Sequence, residues 1–177
     1  MANAGTQPII ILSGPPGAGK STVAREIIKA SESPLVYIEG DQFWSFYAKG
    51  FESRKPFKNF KTIMSAMTAA SVPYALEGFK VLLEFSIPPW FLPNAVKIVS
   101  LRDIPLHYIV LRPKEDVCAR RAANRVDGSI GDYVPFHDLY IDFHEADQYT
   151  IKGELEQPEA IAKYILQAID DARFQVR

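Results

Sequence analysis

The eight residues Gly14-Pro15-Pro16-Gly17-Ala18-Gly19-Lys20-Ser21 carry the most specific chemistry in this sequence. They satisfy the spacing G-x-x-x-x-G-K-[ST], in which every fixed position has a physical task. Glycines let the backbone turn its N–H groups inward as a nest of donors, and a helix leaving the loop adds the positive end of its dipole. The ligand suited to such a cradle is the polyphosphate of a nucleoside triphosphate. Lys20 is expected to bridge the β- and γ-phosphates, and the Ser21 hydroxyl to ligate Mg²⁺. Gly14 through Thr22 are therefore the expected nucleotide-binding residues, with ATP and Mg²⁺ as the expected cofactors.

Such a loop needs a strand to deliver it and a helix to receive it. Pro8–Ser13 (PIIILS) is short and almost purely apolar, as a strand covered on both faces requires. Helical spacing follows in Val23, Ala24, Ile27 and Ile28 and stops at Ser31–Pro34. Further strands are expected at Leu35–Ile38, Val81–Phe85 and His107–Leu111, with a short fifth near Tyr149–Lys152. Helices are expected near Asn59–Leu76, from Pro93 to about Val99, and at Lys114–Arg125, Pro135–Ala146 and Pro158–Ala172. Strands alternating with helices predict an α/β fold, a three-layer α/β/α sandwich around a five-stranded parallel sheet. The whole of 1–177 reads as one domain, with an acceptor-binding insertion at about 42–76 and a small helical lid at about 121–135.

In open parallel sheets ligands bind beyond the carboxyl ends of the strands, which directs attention to Asp41 after the second strand and Glu84 at the end of the third. Asp41 is suited to accept an acceptor hydroxyl's proton, or to cap the turn Gln42–Tyr47, or both. The segment Phe43–Phe60 is aromatic and basic. Trp44, Tyr47, Lys49, Arg54 and Asn59, with Trp90 from the loop after the third strand, are the expected acceptor-pocket residues. Phe43, Phe57 and Phe60 are expected to be structural. Lys49 and Arg54 would favour a phosphate or carboxylate on the acceptor, unless they are merely solvated. Arg121 and Arg125 are four apart in an expected helix and so share a face just before the lid, where either a phosphate contact or a solvated helix face is open to them.

The phosphate loop, Glu39-Gly40-Asp41-Gln42-Phe43, Pro89-Trp90-Phe91-Leu92, His107–Pro113 and Arg121-Ala122-Ala123-Asn124-Arg125 together resemble the P-loop NTPases. Within them the chain is similar to the small-molecule kinase branch, in particular chloramphenicol phosphotransferase-like proteins and the group that includes gluconate kinase. The resemblance implies ATP-dependent phosphoryl transfer to a hydroxyl or phosphate of a small molecule. It implies Asp41 as the residue that holds the acceptor hydroxyl, Lys20 and Arg125 as catalytic cations, and Arg121 on the adenine or a phosphate. Glu84 stands where that fold usually has an Asp supporting Mg²⁺; it could reach the metal, contact the substrate, or be a polar strand end. The residues expected for gluconate, shikimate or adenylate as acceptor are not recognisable.

Bulk properties limit the alternatives. With 20 basic against 21 acidic side chains there is no electrostatic footprint for nucleic acid or an anionic membrane. One cysteine, Cys118, permits no disulfide framework and reads as a buried thiol; His137 and His144 read as surface residues rather than metal ligands. No apolar run approaches the length of a membrane span, the first residues do not look like a secretory signal, and the expected location is cytoplasmic. Monomer and homodimer both remain open. The competing function is a nucleotide-hydrolysing switch without a small-molecule acceptor, but the Asn-Lys-x-Asp of guanine-reading switches is not present.

Overall fold

Strand β1 (Ile9–Ser13) is buried along its whole length. Ile9 and Ile11 enter one core and Ile10 and Leu12 another, so β1 needs apolar cover on both faces and takes a central place. A computed structural model of the chain describes residues 5–49, 56–126, 128–151 and 157–176, with only the backbone of Pro56 and Phe57. In it β1 lies between β3 (Lys80–Glu84) and β4 (Leu106–Val110), with β2 (Leu35–Glu39) outside β3. All pairings are parallel in the order β2-β3-β1-β4. The register sets Leu12 opposite Glu84 and Glu84 opposite Glu39, which brings the carboxyl ends of three strands to one edge.

Helices α1 (Lys20–Ala30) and α6 (Pro158–Asp170) pack together against one face of the sheet. The long α2 (Pro56–Leu76) and the short α3 (Leu92–Val99) cover the other. On α2, Ile63, Met64 and Met67 are all buried against the sheet. Each such side chain contributes about 1.5–3 kcal/mol. That anchorage outweighs Pro73, which removes a backbone donor from the same helix. Helix α4 (Glu115–Ala123) adds Cys118 to the α1/α6 core, and α5 (His137–Asp142) adds Tyr140. No described helix is long and apolar enough to cross a membrane.

Two expectations are corrected. The described sheet has four strands rather than five. Among the described residues the expected fifth is a single parallel bridge of Thr150 to Val110, with the Ile151 amide donating to the Val110 carbonyl at 3.1 Å, while Lys152 of that expectation lies outside the described residues. The reason is competition for the free edge of β4. The chain's last turn runs antiparallel to the other end of that edge, where the Tyr108 amide donates to the Phe174 carbonyl and the Val176 amide to the Leu106 carbonyl. An edge of five residues shared by two segments leaves neither the length of a strand. The second correction is at α4, which stops at Ala123 with Asn124 as its cap, so Arg125 lies beyond the helix and shares no helical face with Arg121.

Candidate active site

Gly17 sits at φ +80°, and a Cβ there would stand 2.0 Å from the Cys118 carbonyl oxygen; one on Gly14 would stand 2.1 Å from that of Leu111. The loop is thus clamped between the end of β4 and the backbone of α4. Glycine supplies both the dihedral and the clearance. Gly19 also has positive φ, and the Arg121 guanidinium lies 3.9 Å from where its Cβ would be, which brings Arg121 against the loop.

Lys20 is the first residue of α1 and only 7% exposed. Its Nζ donates to the carbonyls of Gly14 and Pro15 and to Ser86 Oγ, each at 3.1 Å. Bonds from a charged donor contribute about 1.5–3 kcal/mol each, enough to offset the burial of one ammonium. Burial lowers the Lys20 pKa, the Glu84 carboxylate pushes it back up, and Arg125 lowers it again. Arg125 lines the same cavity as Lys20 although it lies beyond the helix.

The segment after β3 is fixed from beneath. Ser13 Oγ donates to the Ile87 carbonyl at 2.7 Å and accepts from the Ile87 amide at 2.8 Å, and the Tyr108 hydroxyl donates to the same carbonyl at 2.6 Å. Burial raises the Tyr108 pKa and keeps it a donor. These bonds set Ser86 against Lys20 and carry the chain towards Trp90. Glu84, 6% exposed, accepts a 2.9 Å bond from the Tyr37 hydroxyl, which burial and the neighbouring carboxylate hold protonated. The Trp90 indole donates to Asp142 Oδ2 at 2.9 Å, and the Tyr133 hydroxyl to the Pro16 carbonyl at 2.8 Å. The last bond ties the segment after α4 to the phosphate loop.

These pieces enclose a cavity of about 750 Å³. Its polar lining includes Lys20, Ser21, Asp41, Glu84, Ser86 and Arg125, with Asp138 and Asp142, and its apolar lining includes Trp44, Phe60, Trp90, Phe136 and Leu139. Among the expected acceptor residues, Asp41, Trp44, Glu84 and Trp90 face it, whereas Tyr47, Lys49 and Asn59 are not part of its described wall. Tyr47 lies beside Trp44, with ring centroids 6.5 Å apart, and Lys49 is exposed. Arg54 lies outside the described residues, as does the side chain of Phe57. Phe60, expected to be structural, both lines the cavity and packs on Phe85. Tyr37, Ser86, Tyr133 and Asp142 are additions that the sequence did not single out. Ser86, two residues beyond Glu84, was the one within reach of a sequence argument.

A triphosphate fits these residues. The turn has left-handed backbone at Gly17 and Gly19, Lys20 reaches back along it, and Ser21 opens onto the cavity beside Asp41 and Glu84. Cys118, His137 and His144, read from the sequence as a buried thiol and two surface residues, are not part of this cavity's described lining. Cys118 is fully buried, its thiol pushed up to about 11 by burial. His137 Nδ1 pairs with Glu115 Oε1 at 2.7 Å, and the His144 ring stands against that of Tyr140 at 5.6 Å. Among the described residues no three His, Cys, Asp or Glu are grouped to hold a metal ion.

Known proteins place this arrangement. The tunicamycin resistance protein of Deinococcus radiodurans superposes with a TM-score of 0.67 at 17% identity, covering 97% of this chain and 99% of that one. The APS kinase of Mycobacterium tuberculosis, solved with AMPPNP and APS, gives 0.66 at 15% identity, covering 94% and 99%. At such identities the likeness establishes the fold alone, an α/β fold around a parallel sheet. Human "Adenylate kinase 8" is 27% identical over 160 residues, 88% of this chain and 32% of that protein, so the chain spans about a third of that relative's length. A match to the description "Chloramphenicol phosphotransferase-like protein" extends over residues 7–170, and the chain belongs to that family.

Proposed function

We propose that the protein transfers the γ-phosphoryl group of ATP to a hydroxyl or phosphate of a small molecule held in the same cavity. The observation that carries this reading is the joining, in one cavity, of the phosphate-loop groups Lys20 and Ser21 to Asp41 and a chamber walled by Trp44, Phe60 and Trp90. A nucleotide-hydrolysing switch needs no such chamber beside its phosphates.

The Lys20 donors now engaged by Gly14, Pro15 and Ser86 are those that β- and γ-phosphate oxygens would take over. Magnesium, bound with the nucleotide, would supply positive charge to offset that of the phosphates. Ser21 is the side chain to ligate it, with Glu84 and Asp41 within the same cavity to hold its water. Tyr37, bonded to Glu84, fixes that carboxylate's direction. Asp41 orients the acceptor hydroxyl and takes its proton as the new O–Pγ bond forms and the bond to the ADP oxygen breaks. Arg125 faces the transferred group, where one well-placed donor is worth about 3–4 kcal/mol of transition-state stabilisation. Segment 121–135 acts as a lid anchored by the Tyr133 bond to Pro16.

The test is ADP formation with and without sugars, nucleosides, aromatic alcohols and adenosine monophosphate, the last prompted by the relative's name. At least one acceptor should raise turnover well above the hydrolytic background. Asp41→Asn should abolish that increment and leave ATP affinity nearly intact. Unchanged turnover in the variant removes Asp41 as base, and turnover raised only by a protein partner favours the switch.

A further inference from the structure

We infer that the acceptor chamber selects a hydroxyl compound carrying a protonated amine on an apolar or aromatic frame, and discriminates against phosphate- or carboxylate-bearing acceptors. This rests on reading the cavity as an acceptor chamber.

The inference comes from how charge is divided across the cavity. Among the described residues its two cations, Lys20 and Arg125, are both on the phosphate side, where Lys20 is buried under the loop and Arg125 acts on it. A bound triphosphate would neutralise them. Helix α5 brings Asp138 and Asp142 to the same lining, four apart and therefore presented from one helix face. Asp142 is held in place by the Trp90 indole. With Asp41 at the junction, the acceptor meets three carboxylates and no described cation of its own.

Around them stand Trp44, Trp90, Phe60 and Phe136, all half-buried. Ring faces attract a cation within about 6 Å, and do so more strongly once it is desolvated. Carboxylates and aromatic walls thus act in the same direction. An anionic acceptor would shed water to face like charges, whereas an ammonium group exchanges its water for ring faces and carboxylate oxygens. Of the two cations expected to favour an acidic acceptor, Lys49 is not in the described wall, and Arg54 lies outside the described residues.

Three probes share a frame and a hydroxyl and differ in charge: 2-amino-1-phenylethanol, 1-phenylethanol and mandelate. Each is titrated calorimetrically into the full chain saturated with magnesium and AMPPNP, near neutral pH, where the amine is protonated. The ammonium compound should bind at least about tenfold tighter than the neutral alcohol, the scale of one desolvated cation–π contact or ion pair, with mandelate weakest. The double variant D138N/D142N keeps side-chain shape and an oxygen to accept the Trp90 bond. It should bring ammonium and neutral probes to within about threefold of each other.

Equal binding of the first two probes in the unaltered chain, tighter binding of mandelate, or no binding of the ammonium compound overturns the inference. So does a preference that survives the double variant. Parallel ADP assays separate this from the kinase reading: preferential binding without any acceptor-stimulated ADP upholds the charge selection and refutes transfer. Stimulation by all three probes alike does the reverse.

Discussion

Replacing Gly17 by alanine tests whether the phosphate loop and α4 form one mechanical unit. Alanine at φ +80° costs about 1–2 kcal/mol in backbone strain. Its Cβ would lie 2.0 Å from the Cys118 carbonyl oxygen and 2.8 Å from the carbonyl carbon, and both are helix backbone rather than the yielding tip of a side chain. Ordinary contact requires the loop and α4 to separate by roughly 1.4 Å, and overpacking of that kind typically costs about 1–3 kcal/mol. The reduced freedom of the unfolded chain returns about 0.4–1 kcal/mol. The net expectation is a loss of about 2–4 kcal/mol, a sizeable part of the stability of a typical domain. Urea denaturation followed by circular dichroism measures it. Calorimetry should show ATP binding weakened at least about tenfold, because the displaced N–H groups no longer converge on one phosphate. Gly131→Ala is the control: a Cβ there has no atom within 4 Å, and stability should change by less than about 0.5 kcal/mol. A Gly17→Ala protein with unaltered stability and ATP affinity would refute the clamped loop.

Lys20→Ala should lower transfer by at least about 100-fold and strongly weaken triphosphate binding; full retained activity in the ADP assay would sink the phosphate-loop assignment. Tyr37→Phe leaves the buried Glu84 carboxylate without its 2.9 Å donor and should destabilise by about 1–3 kcal/mol in urea denaturation, an expectation refuted by unchanged stability. Exposed His137 has its pKa raised above 6.5 by the bond to Glu115, so its contribution is complete below that value and is lost as pH rises through the folded pKa. Melting curves of His137→Gln should therefore fall short of the parent in mild acid and coincide with it in mild alkali; a difference independent of pH would contradict the pairing.

The local features of this protein were legible in its residues. A run such as PIIILS buries on both faces wherever it goes, and a glycine-rich turn ending in Lys-Ser has few uses other than a phosphate cradle, so β1, the loop and α1 followed from composition and spacing. Asp41 and Glu84 followed from a general rule about strand ends. Helix ends were less legible. Arg121 and Arg125 were expected on one face because four residues make about one turn, but α4 ends before Arg125, and Arg125 reaches the cavity from the chain beyond it.

What only the tertiary structure decided were matters of competition and encounter. Among the described residues the expected fifth strand is one bridge, because two segments far apart in sequence divide the free edge of β4, which no local pattern records. Tyr37 meets Glu84, Ser86 meets Lys20, and Trp90 meets Asp142 across separations of 47, 66 and 52 residues. Sequence alone thus determined the phosphate-gripping loop, because that chemistry lies within eight consecutive residues. The cavity beside the loop, proposed as the acceptor chamber, is assembled from side chains on four separate segments, so its walls and its charge existed only once the sheet's register and the path of α5 were set.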